Sequence, residues 1–132
     1  ELAGLAMAPR HVLNNALKGF NSRTLTSSGG NIVTLTREHL GHILTRHHPT
    51  YWGAWDHLTD LFRVRSRNSA FDAGLGIDDV IGLLQETLKA PGVQQERGGI
   101  RYIQEIGGKW YSAVVEDGIV QNFVPCAAVG CQ

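Results

Sequence analysis

Five of the six histidines in this chain fall between residues 39 and 57: His39, His42, His47, His48 and His57. Set on a helix at about 100° per residue, Leu40, Ile43, Leu44 and His47 share one face, which is the core-facing one. His39, His42 and Arg46 form a second stripe along its edge. An imidazole moves protons near neutral pH, and a guanidinium holds phosphate oxygens in a bidentate fork. Together they supply what metal-free cleavage of an RNA strand needs: proton transfer from the 2′-hydroxyl and to the leaving oxygen, and charge stabilisation at phosphorus.

Simpler roles compete for the same residues. His47 among leucines is equally a buried core histidine or one favoured by the helix C-terminus. His39 reads as a solvated helix position, and His42 with Arg46 as a surface pair. His57 packs beside or caps the Trp52/Trp55 cluster, and the tryptophans read as core before base-stacking platforms. The spacing His39-x-x-His42 also suits a metal ligand pair. However, the acidic partner of an H-E-x-x-H zinc helix is missing and carboxylates near the cluster are few, which places a metal site behind the metal-free reading.

The elements that position this segment follow from local signals. Thr36 is a natural N-cap with Glu38 in the first turn, and Pro49 ends the helix near His47. A β-prone run, Ile32 to Leu35, precedes it. Upstream, Val12, Leu13, Ala16, Leu17 and Phe20 have helical period within 8–20, and the Ser, Thr, Asn and Gly of 21–31 read as a loop. Downstream, 50–64 reads as a second helix and 77–90 as the clearest one, stopped by Pro91-Gly92. Ile100 to Ile106, Lys109 to Val115 and Ile119 to Val124 are β-branched and aromatic. Gly107-Gly108 and Glu116-Asp117-Gly118 separate them as hairpin turns. The expected fold class is therefore α+β, with N-terminal helices packed on a C-terminal antiparallel β-sheet, a three-stranded meander. The expected organisation is an N-terminal helix and loop appendage over 1–31, a core over 32–125 and a C-terminal tail over 126–132.

Composition narrows the functional classes. With 132 residues, 42% hydrophobic and 18% charged, the chain fits one globular domain. No apolar run reaches the roughly 20 residues of a membrane helix, and no signal-peptide pattern opens the chain. Glu1 in place of Met suggests a piece of a longer polypeptide. Twelve Lys and Arg balance twelve Asp and Glu, so a generic polyanion binder is disfavoured and any RNA site is local; Arg63, Arg65 and Arg67 are the densest basic run. Cys126 and Cys131 either form a short disulfide loop or stay as free thiols.

The run Ile32-Val33-Thr34-Leu35-Thr36-x-Glu38-His39-x-x-His42-Ile43-x-x-Arg46-His47 resembles the H-I-x-x-R-H element of toxin and phage nucleases in the barnase–EndoU–colicin–RelE superfamily. Residues 71–91 are similar to that group's middle helix. Tyr102 to Glu105, Lys109 to Val115 and Val120 to Pro125 are similar to its terminal meander. Where its last strand often carries Thr-aromatic-x-Pro, this chain has Asn122-Phe123-Val124-Pro125. The resemblance covers roughly 32–125. It implies a toxin-domain RNase, often acting on tRNA, delivered from a secreted or cell-surface protein into a target-cell cytoplasm, and neutralised by a cognate immunity protein. Carried over, the motif makes His42, Arg46 and His47 the catalytic candidates, with no cofactor. Lys109, Tyr111, Arg101 and Asn122 are candidates for phosphate or base contacts. Two rivals remain open: a non-catalytic binding module with a nuclease-like fold, and a metal-dependent nuclease using the histidine cluster.

Overall fold

The computed structural model describes residues 9–52, 54, 70–126 and 131. It is an α+β fold. A six-stranded mixed sheet packs one face against helices α1 (Arg10–Ala16), α2 (Arg37–His47) and α3 (Ile77–Thr87). The strands are β1 (Ser22–Thr26), β2 (Ile32–Thr36), β3 (Gly92–Gln94), β4 (Ile100–Ile106), β5 (Lys109–Glu116) and β6 (Ile119–Cys126), in the spatial order β1-β2-β6-β5-β4-β3.

Local chemistry sets the best-defined boundaries. The Thr36 hydroxyl accepts the His39 N–H at 3.1 Å and so satisfies an orphan donor of α2. Pro49 follows His48, which is extended, and α2 ends at His47 as expected. At the start of α3 the Asp79 carboxylate accepts the Gly76 N–H at 2.9 Å. The helix stops at Thr87, earlier than the 77–90 expected, and its buried C-cap Leu88 stays in the core. The meander β4-β5-β6 forms as expected. Its turns place Gly107 and Gly108 at φ 60 and 84°, and Asp117 and Gly118 at φ 54 and 76°, the doubly positive backbone of a two-residue hairpin loop.

Two expectations need correction. The sheet is not a C-terminal antiparallel meander alone: β2 joins it by parallel pairing at Thr34 and Ile119, and β3 pairs antiparallel with β4 to form the edge opposite β1. The stretch 21–31 is not all loop, since Ser22–Thr26 pairs along β2 as an edge strand. Upstream residues also enter the common core: Leu13 and Leu17 are fully buried, and Leu25 joins Val33, Leu35 and Phe123 in one cluster. Burying an aliphatic side chain contributes about 1.5–3 kcal/mol, so α1 and β1 stabilise the same unit that carries α2. Within 50–64, the structure begins with a 3-10 turn, Pro49–Tyr51. Trp52 follows with a non-helical backbone and Ala54 is buried; residues 53 and 55–64 of that expected helix, with Trp55, His57, Phe62 and Arg63, lie outside the described residues, as do Arg65 and Arg67.

Cys126 and Cys131 are joined by a disulfide. Among the described residues no helix is long and apolar enough to cross a membrane.

Candidate functional site

Helix α2 presents its histidines in three different environments. Leu40, Ile43, Leu44 and His47 are buried as the helical period requires, with His47 only 3% exposed. His39, His42 and Arg46 line the neighbouring edge and are half-buried. His42 and Arg46 stand one turn apart, the spacing at which side chains on a helix meet. His39 Nδ1 lies 2.8 Å from the Thr36 hydroxyl, so this ring takes part in the helix cap.

His48 is different again. Its Nε2–H donates to the Leu75 carbonyl at 2.7 Å, and its Nδ1 accepts the Thr50 N–H at 3.1 Å. A carbonyl can only accept and an amide N–H can only donate, so these two bonds define the Nε2–H tautomer and occupy both ring nitrogens. The ring is 1% exposed and sits 4.9 Å from Tyr51 and 6.4 Å from Phe71, centroid to centroid. His48 is thus a structural pin at the end of α2.

The strand candidates divide between the two faces of the sheet. Opposed residues in a ladder share a face and successive residues alternate. Tyr111 and Ala113 therefore point to the helices with Gln104 and Tyr102, and Lys109 shares that side with Ile106. Arg101 opposes Val114, and Val114 opposes Asn122, which places Arg101 and Asn122 on the other face. There the Arg101 Nε–H donates to the Ser112 hydroxyl at 3.0 Å, and its terminal NH2 donates to the Cys131 carbonyl at 3.3 Å. Arg101 thus holds Cys131, which the disulfide joins to Cys126. Of the four strand candidates, only Lys109 and Tyr111 lie on the side of the sheet that bears α2.

A short segment, 70–72, connects that side to the end of the helix. The Phe71 N–H donates to the His47 carbonyl at 2.8 Å. Lys109 Nζ donates to the Ala70 carbonyl at 3.1 Å and lies 3.7 Å from the Asp72 carboxylate. Phe71 also packs against Tyr111 and Phe123, at ring separations of 6.4 and 5.4 Å. Three consecutive residues therefore hold the C-terminal turn of α2 and the Lys109 ammonium together. Burial raises the Tyr111 hydroxyl pKa above its usual value, and the charge of Asp72 adds to the rise. Asp72 and His48 were not singled out by the sequence; Asp72 lies in no motif, and His48 was visible only as one member of the cluster.

Among the described residues no three His, Cys, Asp or Glu side chains come together as a metal-ligand set. Comparison with known proteins yields no relative: no family model, curated protein or solved structure matches the chain.

Proposed function

We propose that this chain is a metal-independent endoribonuclease domain of the toxin type, with its site along the outer edge of α2. The observation that carries the reading is the half-buried pair His42 and Arg46, one turn apart on that edge; segment 70–72 ties Lys109, beside Asp72, to the backbone of His47 in the last turn of the same helix. A proton-transfer group and a guanidinium on one helix edge match the demands of cleavage at a phosphodiester.

In this proposal His42 takes the proton of the 2′-hydroxyl as that oxygen attacks phosphorus. Arg46, by its fork of N–H donors, and Lys109, as a point charge, hold the phosphate oxygens as charge builds on them. The bond to the 5′-oxygen then breaks, that oxygen takes a proton from water, and the hydroxide so formed takes the proton held by His42, which restores the neutral imidazole. The products are a 2′,3′-cyclic phosphate and a 5′-hydroxyl. His47 is only 3% exposed, so it is assigned a positioning role. Its carbonyl fixes Phe71, and through the same segment the acceptors that hold Lys109.

Transfer RNA as substrate, delivery from a larger secreted or surface protein, and an immunity protein that covers the site are proposals supported by the H-I-x-x-R-H resemblance at residues 42–47. Expression of the domain should arrest growth, and co-expression of a small cognate inhibitor should restore it. A soluble, folded product with no effect on growth contradicts the toxin reading.

A further inference from the structure

A groove of about 750 Å³ opens between the end of α1, the start of β1, Tyr51 and the first turn of α3. It is not part of the α2 edge, yet it is built onto both ends of α2. At the helix start, the Asn21 carbonyl accepts the Arg37 N–H at 3.1 Å, which fixes the link between Phe20 and Arg23. At the helix end, the His48 carbonyl accepts the Tyr51 N–H at 3.0 Å, and the His48 ring holds Leu75, next to Gly76 of the α3 wall. Two of the groove's walls therefore hang from one buried histidine. Arg23 opposes Leu35 in the β1–β2 ladder, so it lies on the helix-bearing face of the sheet, as Lys109 does.

The lining has a definite chemistry. The Arg23 guanidinium lies over the Phe20 ring at 5.7 Å, and its side chain is about half exposed at 47%. Lys18 is an exposed second cation, and Tyr51 contributes a half-buried ring. Asp78 faces Arg23 at 3.9 Å and is 93% exposed, and a second carboxylate of the lining, Asp79, is engaged by the Gly76 N–H. Planar cationic and aromatic groups stack unpaired bases, and flanking cations hold the backbone. A carboxylate repels phosphate but accepts N–H donors from base edges. Mixed charges with rings thus suit a whole nucleotide better than a bare anion: phosphate toward Lys18 and Arg23, base edge toward Asp78.

We propose that this groove is a substrate subsite that holds an unpaired nucleotide of RNA flanking the cut. The proposal rests on the ribonuclease reading above. Among the described lining residues the cations are Lys18 and Arg23, so the salt dependence they give is shallow, with each contributing about −0.7 to the slope of log affinity against log salt on a single strand.

The test uses the full chain and an all-2′-O-methyl RNA oligonucleotide, which binds but lacks the nucleophile, read by fluorescence anisotropy. Arg23→Gln and Lys18→Gln, both surface changes, should each weaken binding several-fold and flatten the salt slope by about 0.7. Phe20→Leu keeps apolar packing while removing the ring, and should weaken binding about tenfold. Unchanged affinity and slope in all three variants, or no binding by the wild type, overturns the proposal. If the wild type cleaves RNA and these variants keep its KM, the subsite falls and the ribonuclease reading stands. If no RNA is cleaved yet binding depends on Arg23 and Phe20, the groove stands and the ribonuclease reading falls.

Discussion

Replacing His48 with alanine should cost stability. The ring is 1% exposed and bridges the Leu75 carbonyl and the Thr50 N–H. Its loss leaves the carbonyl of half-buried Leu75 without its donor, at about 1–3 kcal/mol. Thr50 is exposed and can turn to water, so its share is small. Removing the ring also opens a hole beside Tyr51 and Phe71. Truncating a buried aromatic side chain costs about 3–5 kcal/mol, and the smaller, polar imidazole belongs at the low end of that range or below. Together these give a loss of about 3–4 kcal/mol, a large part of the 5–15 kcal/mol that holds a domain together. For a chain of this size the melting temperature should fall by about 10–15 °C. Urea unfolding followed by circular dichroism should show a lower midpoint at unchanged slope. A loss below about 0.5 kcal/mol would refute the assignment of His48 as the pin between α2 and the α3 wall.

Other expectations separate structural from chemical roles. His42→Ala and Arg46→Ala should each lower RNA cleavage by about 10²–10⁴-fold, the range for an acid–base or charge-stabilising group, with melting temperatures within a few degrees of the wild type; wild-type rates in both variants would remove them from the site. Lys109→Ala should lower kcat measured on RNA, whereas Arg101→Ala and Asn122→Ala, on the opposite sheet face, should leave it unchanged; the reverse pattern would place the site on the wrong side of the sheet. Because burial raises the Tyr111 pKa in the fold, the folded chain holds its phenolic proton more tightly than the unfolded one. Its stabilising contribution is therefore full below pH 10 and is lost as pH rises through the raised value. Urea midpoints across alkaline pH should fall less steeply in Tyr111→Phe, and identical slopes would contradict the shift.

Much of the fold could be read from the chain because local signals acted alone. Thr36 and Pro49 bound α2 without help from the tertiary structure, and the glycines of the two hairpin loops have no steric penalty at positive φ. Strand β1 was hidden because it is an edge strand rich in Ser and Thr in which only Leu25 is buried, so no alternation marks it. Strand β3 is three exposed residues, and its Gly92 is required because a Cβ there would meet Ile100 and Tyr102 at 2.6 and 2.9 Å. The parallel β2–β6 contact joins residues far apart in sequence, and pattern cannot foresee such a pairing. In the site, helical period identified the His39, His42 and Arg46 stripe. The divergent environments of His39, His47 and His48 depend on Thr36, Phe71 and Leu75, of which two lie more than 20 residues away. Alternation paired Lys109 with Tyr111, but only the ladder register shows that Arg101 and Asn122 face away from them.

The most direct measurement is the end chemistry of cleaved RNA. End-labelled RNA incubated with the purified chain in EDTA should be cut to fragments bearing 2′,3′-cyclic phosphate and 5′-hydroxyl ends, and a single 2′-deoxy substitution at the cut should abolish that cut. Cutting that requires an added divalent metal, proceeds on an all-DNA strand or leaves a 5′-phosphate would contradict the account.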